Sequence, residues 1–167
     1  MQRQKLMAVA VMAAAFLVSA PGFAQKFNER TGRWTVGGDL GVTEGPTLMG
    51  LNFNVNYYIT DEIAVGPLVQ YDFWDDNHIF GVAGMVRYSA ILANSKVVRP
   101  YGQAGIGFVN FKHEDLFSGD SKTTYLFPVG GGLEFKLNDQ LALDTNVLFN
   151  LSEEIYVGLF AGVTFVF

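Results

Sequence analysis

From about residue 33 onward, apolar and polar residues alternate in stretches of about ten, the period of a strand with two unlike faces rather than of a helix. The clearest stretch is Leu51-Asn52-Phe53-Asn54-Val55-Asn56-Tyr57-Tyr58-Ile59, apolar at odd positions and asparagine at most even ones. In the last, Ile155 to Phe167, the period and the glycines Gly158 and Gly162 exclude a helix. Marking turns at polar clusters predicts eight strands, over 33–43, 49–60, 62–74, 79–90, 99–112, 124–137, 140–151 and 155–167. Thr60-Asp61-Glu62, Asn138-Asp139-Gln140 and the segment 91–98 join them at one end; 44–48, 74–78, 112–123 and 152–154 join them at the other. An even number of antiparallel strands with both chain ends on one side predicts an all-β fold, an eight-stranded antiparallel up-and-down β-barrel.

Such a barrel is soluble if its apolar face turns inward and membrane-spanning if that face turns outward. Within the strands, Asp39, Asp72, Arg87, Glu134, Lys136 and Asp144 all fall on the parity opposite the apolar residues, together with Asn52, Asn54, Asn56, Gln70, Asn146 and Asn150. The other parity, with Val36, Leu40, Phe53, Val69, Val82, Val86, Val129, Leu143, Val147 and Val163, carries no charge. Parity alone leaves a lipocalin-type carrier possible. The aromatic residues decide between the two. Trp34, Tyr57, Tyr88, Tyr101, Phe135, Phe165 and Phe167 fall near the strand ends that adjoin the tight turns. Tyr71, Phe73, Phe80, Phe111, Tyr125, Phe127 and Phe149 fall near the opposite ends, with mainly Val, Leu, Gly and Ala between. Two aromatic girdles around an aliphatic band match a bilayer, where rings prefer the headgroup level. Strands of ~9–11 residues suffice to cross it when tilted.

The preceding segment reads differently. Arg3 and Lys5 lead an uncharged run from Leu6 to Ala20, and Pro21-Gly22-Phe23-Ala24 ends it with small residues before Gln25. This is the layout of a cleavable secretory signal peptide over residues 1–24, with the barrel domain in 25–167. Hydrophobic residues make up 50% of the chain against 16% charged, the formal charge is −5, and the composition excludes a disordered or nucleic-acid-binding protein. With no cysteine there is no disulfide framework, thiolate metal site or cysteine nucleophile.

Three segments carry a resemblance: Asn56-Tyr57-Tyr58-Ile59-Thr60-Asp61-Glu62-Ile63-Ala64-Val65-Gly66 around a turn, Arg99-Pro100-Tyr101 opening a glycine-rich strand, and Gly130-Gly131-Gly132-Leu133-Glu134-Phe135-Lys136-Leu137 running into Asn138-Asp139-Gln140. On these, and on its closing Gly162-Val163-Thr164-Phe165-Val166-Phe167, the chain resembles the small outer-membrane β-barrel superfamily of opacity proteins, outer-membrane protein X and the outer-membrane protein A barrel. The resemblance implies location in the outer membrane of a Gram-negative-type bacterium, lipid and lipopolysaccharide as surroundings, and a carboxy-terminal signal (Gly162, Phe165, Phe167) read by the barrel-assembly machinery. Phe160 departs from that signal, which usually has a polar residue there. Pro67 and Pro128 lie inside strands, where each removes a ladder hydrogen bond, so a bulge or irregular pairing is expected. The apolar belt asks for lipid rather than a protein neighbour, so a monomer is expected.

An eight-stranded lumen is about wide enough for side chains to fill. Arg87 is expected to pair across it with Glu134 and Asp144, with Lys136 and Arg33 below and Asp39 and Asp72 above, because a buried unpaired cation is strongly destabilising. Signals for catalysis are sparse. Some relatives are lipid A-modifying enzymes, but His78 lacks the His-x-Ser arrangement of the deacylase. His113 lies with Glu114, Asp115, Ser118 and Ser121 on one loop, where nothing fixes a triad. Asp72, Asp75, Asp76 and His78 match no defined cation loop, and Gly102, Gly105, Gly107 and Gly130 to Gly132 precede no helix, so they form no phosphate cradle. No cofactor, metal or catalytic group is expected. The reading is a non-enzymatic barrel with a structural or surface-interaction role; the alternatives are a small pore or carrier for minor solutes and a lipid A-modifying enzyme.

Overall fold

In the computed structural model, which describes residues 30–44, 48–74, 77–92, 97–115, 118–153 and 155–167, eight strands succeed one another in chain order. They are β1 (Trp34–Glu44), β2 (Leu48–Tyr58), β3 (Ile63–Trp74), β4 (Asn77–Ser89), β5 (Val98–Asp115), β6 (Ser118–Lys136), β7 (Leu141–Leu151) and β8 (Tyr156–Val166). Each pairs antiparallel with its neighbour, and β1 pairs with β8 from Thr35↔Val166 to Glu44↔Val157, closing the barrel. The leader expected over residues 1–24 lies outside the described residues.

The tight turns are built from side chains that imitate backbone. Thr60 Oγ1 accepts from the N–H groups of Glu62 and Ile63 at 3.2 and 3.0 Å, and Asn138 Oδ1 accepts from those of Gln140 and Leu141 at 2.8 and 2.9 Å. Both turns lie at the end that also holds the last strand residues, where the Phe167 N–H donates to the Trp34 carbonyl at 2.9 Å.

The faces sort by charge. Asp39, Asp72, Arg87, Glu134, Lys136 and Asp144 are buried toward the barrel axis, while Leu40 and Phe108 are 65% and 70% exposed on the outside. This inverts a soluble core and is stable only with lipid around it.

Two girdle residues are corrected. Tyr101 and Phe111 belong to the inward parity of β5: Tyr101 is buried, and Phe111 packs against the interior cluster and edge-on to Tyr156. The alternation of β5 is hard to read because glycine occupies both parities, Gly105 and Gly107 inward and Gly102 outward. The outward ring on this strand is Phe108, which stands opposite Tyr125 in the register.

The segment 112–123, expected as a loop, is instead the tip of a hairpin. β5 and β6 run on to the pair Asp115↔Ser118, whereas β6 meets β7 only up to Phe127↔Leu151. Polar composition does not oppose a strand here, because this stretch rises past the end of β7 and need not present an apolar face to lipid.

The two prolines act on the ladder without shifting it. β2–β3 pairing lapses between Asn54↔Leu68 and Tyr57↔Val65, beside Pro67, and β5–β6 pairing lapses between Ala104↔Val129 and Gly107↔Leu126, beside Pro128. Equal numbers of residues are skipped on both strands, so the pairing is irregular but no bulge forms.

Inside, the outer half of the lumen holds an apolar cluster of Leu68, Ile79, Ala83, Met85, Val109, Leu126, Leu148, Tyr156 and Phe160, with Asp72 and Asn150 buried beside it. The Phe160 ring sits among glycines of the inward parity, since a Cβ on Gly41, Gly50 or Gly158 would meet it. The residue that departs from the assembly signal is therefore a core residue. Phe160→Ala is expected to cost about 3 kcal/mol of unfolding free energy in lipid vesicles, measured by urea titration; an unchanged midpoint would show that the ring is not holding the outer lumen together.

Candidate functional site in the lumen

Toward the end bearing the termini, the lumen holds two stacked charge clusters. The upper is centred on Arg87 of β4. Its guanidinium donates to Gln103 Oε1 from Nε and Nη2 at 3.3 and 3.1 Å, lies 4.0 Å from the centre of the Tyr101 ring, and faces Asp144 Oδ2 at 3.7 Å. Asp144 is further held by the Tyr101 hydroxyl at 2.6 Å and by the Asn146 amide at 3.1 Å. Tyr101 therefore serves the interior rather than the membrane surface.

The lower cluster contains a residue that strand patterning does not point to. Arg30 precedes β1, yet its side chain is buried in the lumen. Nη1 donates to Glu134 Oε2 at 2.9 Å and to the Tyr58 hydroxyl at 2.8 Å, and Nη2 pairs with Glu134 Oε1. Such a two-pronged contact is the strong form of a charge-assisted pair. The expected Arg87–Glu134 pair is thus corrected: Glu134 is taken by Arg30, and Arg87 goes to Asp144 alone. Arg33, expected inside, is exposed.

The turn before β1 explains how the chain brings Arg30 there. Gly32 has φ 78°, a left-handed conformation that glycine adopts without strain. Its N–H donates to the Tyr58 carbonyl at 2.8 Å, and the Arg33 N–H donates back to the Arg30 carbonyl at 2.8 Å. Asp61 in the β2–β3 turn then clamps the segment, accepting from the backbone N–H groups of Thr31 at 2.9 Å and Arg30 at 2.7 Å and from the Thr31 hydroxyl at 2.8 Å. These donors, the Thr31 N–H foremost, hold the Asp61 carboxyl below the usual range.

The remaining expected residues are spread through the lumen and over the outer surface. Lys136 is buried and reaches Asp139 of the turn at 2.7 Å. Asp39 meets the Asn54 amide at 3.5 Å, and Asp72, fully buried, accepts from the Thr43 hydroxyl at 3.2 Å. Nothing among the described residues pairs either acid with a cation. On the outer surface Trp34 and Tyr57 lie 5.0 Å apart at one end; Tyr71 and Phe73, at 5.7 Å, and Tyr125 and Phe127, at 5.5 Å, mark the other. Phe80, Tyr88, Phe149, Phe165 and Phe167 are exposed on the same face, and Phe135 is half-buried. His78 shares a hydrogen bond of 3.1 Å with the Tyr71 hydroxyl. Asp75 and Asp76 lie outside the described residues, as do the side chains of His113, Glu114, Asp115 and Ser118, while Ser121 is exposed. No group of acidic or histidine side chains suited to a metal occurs among the described residues.

Sequence reasoning also missed the apolar half of the lumen, although Leu68, Ile79, Leu126 and Leu148 stand on the same parity as Gln70, Gly81 and Asn150. Most charged residues lie in the other half of that face, with Asp72 the exception.

Comparisons with known proteins agree with this geometry. The fold is similar to the N-terminal β-barrel domain of Pseudomonas aeruginosa OprF (TM-score 0.70, 16% identity, 84% of this chain and 100% of that one). It is similar also to Neisserial surface protein A (0.61, 15%, 80% and 95%) and to Ail, the attachment invasion locus protein of Yersinia pestis (0.58, 15%, 82% and 99%). No curated protein sequence matches the chain. The family model described as outer membrane protein beta-barrel domain matches residues 7–155, and with the outward apolar belt this shows that the chain belongs to that family and resides in the outer membrane.

Proposed function

We propose that the protein is a non-enzymatic barrel that acts through its surfaces, as a structural element of the envelope or a contact site for external ligands. The observation that carries this reading is the filled lumen. Arg30 with Glu134, then Arg87 with Asp144 and Tyr101, then the Leu126, Leu148 and Phe160 cluster succeed one another from the terminal end to the outer end. A continuous aqueous path along such an axis would have to break buried ion pairs, which costs several kcal/mol each, and then wet an apolar segment. His78 is engaged by Tyr71 on the lipid-facing side, which also favours a non-catalytic role. The projecting β5–β6 hairpin, tied to the β7–β8 turn by Lys122 and Thr124 on Glu153, supplies an exposed platform for contact. Lys122 is also what lowers the Glu153 carboxyl from its ordinary range.

Planar-bilayer recordings of the wild-type protein are expected to be silent, and lipid A from cells with and without the protein is expected to give identical mass spectra. Discrete openings enlarged by Arg87→Met would establish a pore instead, and a changed acyl pattern an enzyme.

The terminal-end seal has its own tests. Arg30→Met removes the two-pronged partner of Glu134, leaving it only the neighbouring Arg99, and is expected to cost about 3 kcal/mol, partly recovered by adding Glu134→Gln; additive losses in that cycle would mean the two do not interact. Because the folded Asp61 titrates below the unfolded value of about 3.9, its clamp is complete at neutral pH and fades as pH falls through the lower folded value. Asp61→Asn is expected to lower stability at pH 7 by less than ~1 kcal/mol, the group being exposed. The gap to wild type should narrow as pH is lowered from 7 to 3; an equal gap at both pH values would exclude the clamp.

A further inference from the structure

We propose that a groove over Gly38 on the lipid-facing side of β1–β3 retains one acyl chain of an outer-leaflet lipopolysaccharide molecule, with the lipid A headgroup met by Tyr71 and His78. Two outward rows cross these strands in register: Gly38, Phe53 and Val69, and one step nearer the exterior, Leu40, Leu51 and Tyr71. These six residues line a cavity of about 320 Å³. Asp39 and Asn52, also at its edge, turn their side chains inward. The missing side chain is what makes the depression. A Cβ added to Gly38 meets nothing within 4 Å, whereas its neighbours in the register, Phe53 and Val163, project into the membrane.

The position of the groove selects its occupant. It starts at mid-belt, where Gly38 and Phe53 lie near the centres of β1 and β2, and runs toward the girdle at Tyr71, so the medium around its upper part is the acyl region of the outer leaflet. A concave apolar surface in that medium is filled by a chain, because a void would forfeit the dispersion contacts of its lining. A second copy of this protein is a poor candidate: six residues on three strands fall far short of the ~800 Å² per partner of a stable interface.

The outer end of the groove supplies a polar stop. Tyr71 lines the groove, its hydroxyl is 3.1 Å from His78 Nδ1, and the two rings lie nearly parallel with centres 6.0 Å apart. Both sit at the girdle level, where a headgroup begins, and a phenol and an imidazole offer hydrogen bonds to its phosphate and sugar oxygens. This site is on the outside of the barrel and stands whether or not the lumen conducts.

Native mass spectrometry of the full-length protein, given hexa-acylated lipid A and diacyl phosphatidylethanolamine at equal concentration, tests it. One lipid A is expected to survive collision energies that strip other lipids. Gly38→Phe, which fills the depression, is expected to cut that retained fraction at least tenfold. Gly84→Phe, at an outward glycine away from the groove, is expected to leave it unchanged. His78→Ala is expected to keep a bound chain but lose the preference for lipid A, and far-UV circular dichroism reports that each variant remains folded. Wild-type retention in Gly38→Phe, equal loss in Gly84→Phe, or retention of phosphatidylethanolamine as strong as that of lipid A would each overturn the proposal.

Discussion

Where there is no water, every backbone N–H and C=O must find a partner within the protein, and the closing ladder between β1 and β8 is how this chain meets that demand. Closure dictates most of the interior. Closing only eight strands leaves a lumen the width of packed side chains, so bulk admitted at one position must be matched by its absence at another. Phe160 is accommodated because Gly41, Gly50 and Gly158 stand around it. The two prolines are tolerated because each spoils pairing on one side of its strand only: Pro67 remains opposite Gly84, and Pro128 opposite Asn150.

The same narrowness decides how charge is handled. An acid in the lumen is removed from bulk water and cannot reach past its immediate neighbours, so each needs a partner at its own height. Asp144 finds Arg87 from within the sheet. Glu134 stands opposite the buried Arg99 of β5 in the register, yet its two-pronged partner is Arg30, delivered by the turn at Gly32 and secured by Asp61. The segment before β1 is thereby part of the interior, and the barrel is sealed near its termini by a residue that belongs to no strand. Asp39 and Asp72, higher up, meet an amide and a hydroxyl, weaker partners than a cation, and one oxygen of each is left without a hydrogen bond among the described residues.

Eight strands and their orientation are legible because lipid on one side and a packed lumen on the other impose a strict period of two, and Asn52, Asn54 and Asn56 against Phe53, Val55 and Tyr57 leave no doubt which face is which. Legibility fails where that constraint relaxes. In β5, glycine on both parities removes the contrast, and a ring on either parity looks equally plausible, so the sequence pattern puts Tyr101 and Phe111 outside. Beyond the bilayer neither face need be apolar, and the polar residues Ser121 to Thr123 read as loop although they form strand. Arg30 is invisible for another reason: its partner Glu134 lies 104 residues away, and no local pattern encodes a contact between a segment outside the sheet and the sixth strand.

A filled interior leaves contact with other molecules to the outside, and the outside is not uniform. Most of the belt is a smooth array of Val, Leu and aromatic side chains that any lipid can wet. Two places break that uniformity. One is the depression at Gly38, bordered by Leu40, Leu51 and Phe53 and ending at the Tyr71–His78 pair. The other is the β5–β6 hairpin, which stays paired to β4 as far as His113 but outruns β7, where Glu153 ties it in place of a strand partner. An array that only dissolves in the membrane has no use for either, because a groove sacrifices wall packing and a protruding hairpin leaves one edge of β6 without a ladder. The lumen explains how the barrel stays closed; these two departures from a plain cylinder are where lipid and external partners meet distinguishable chemistry.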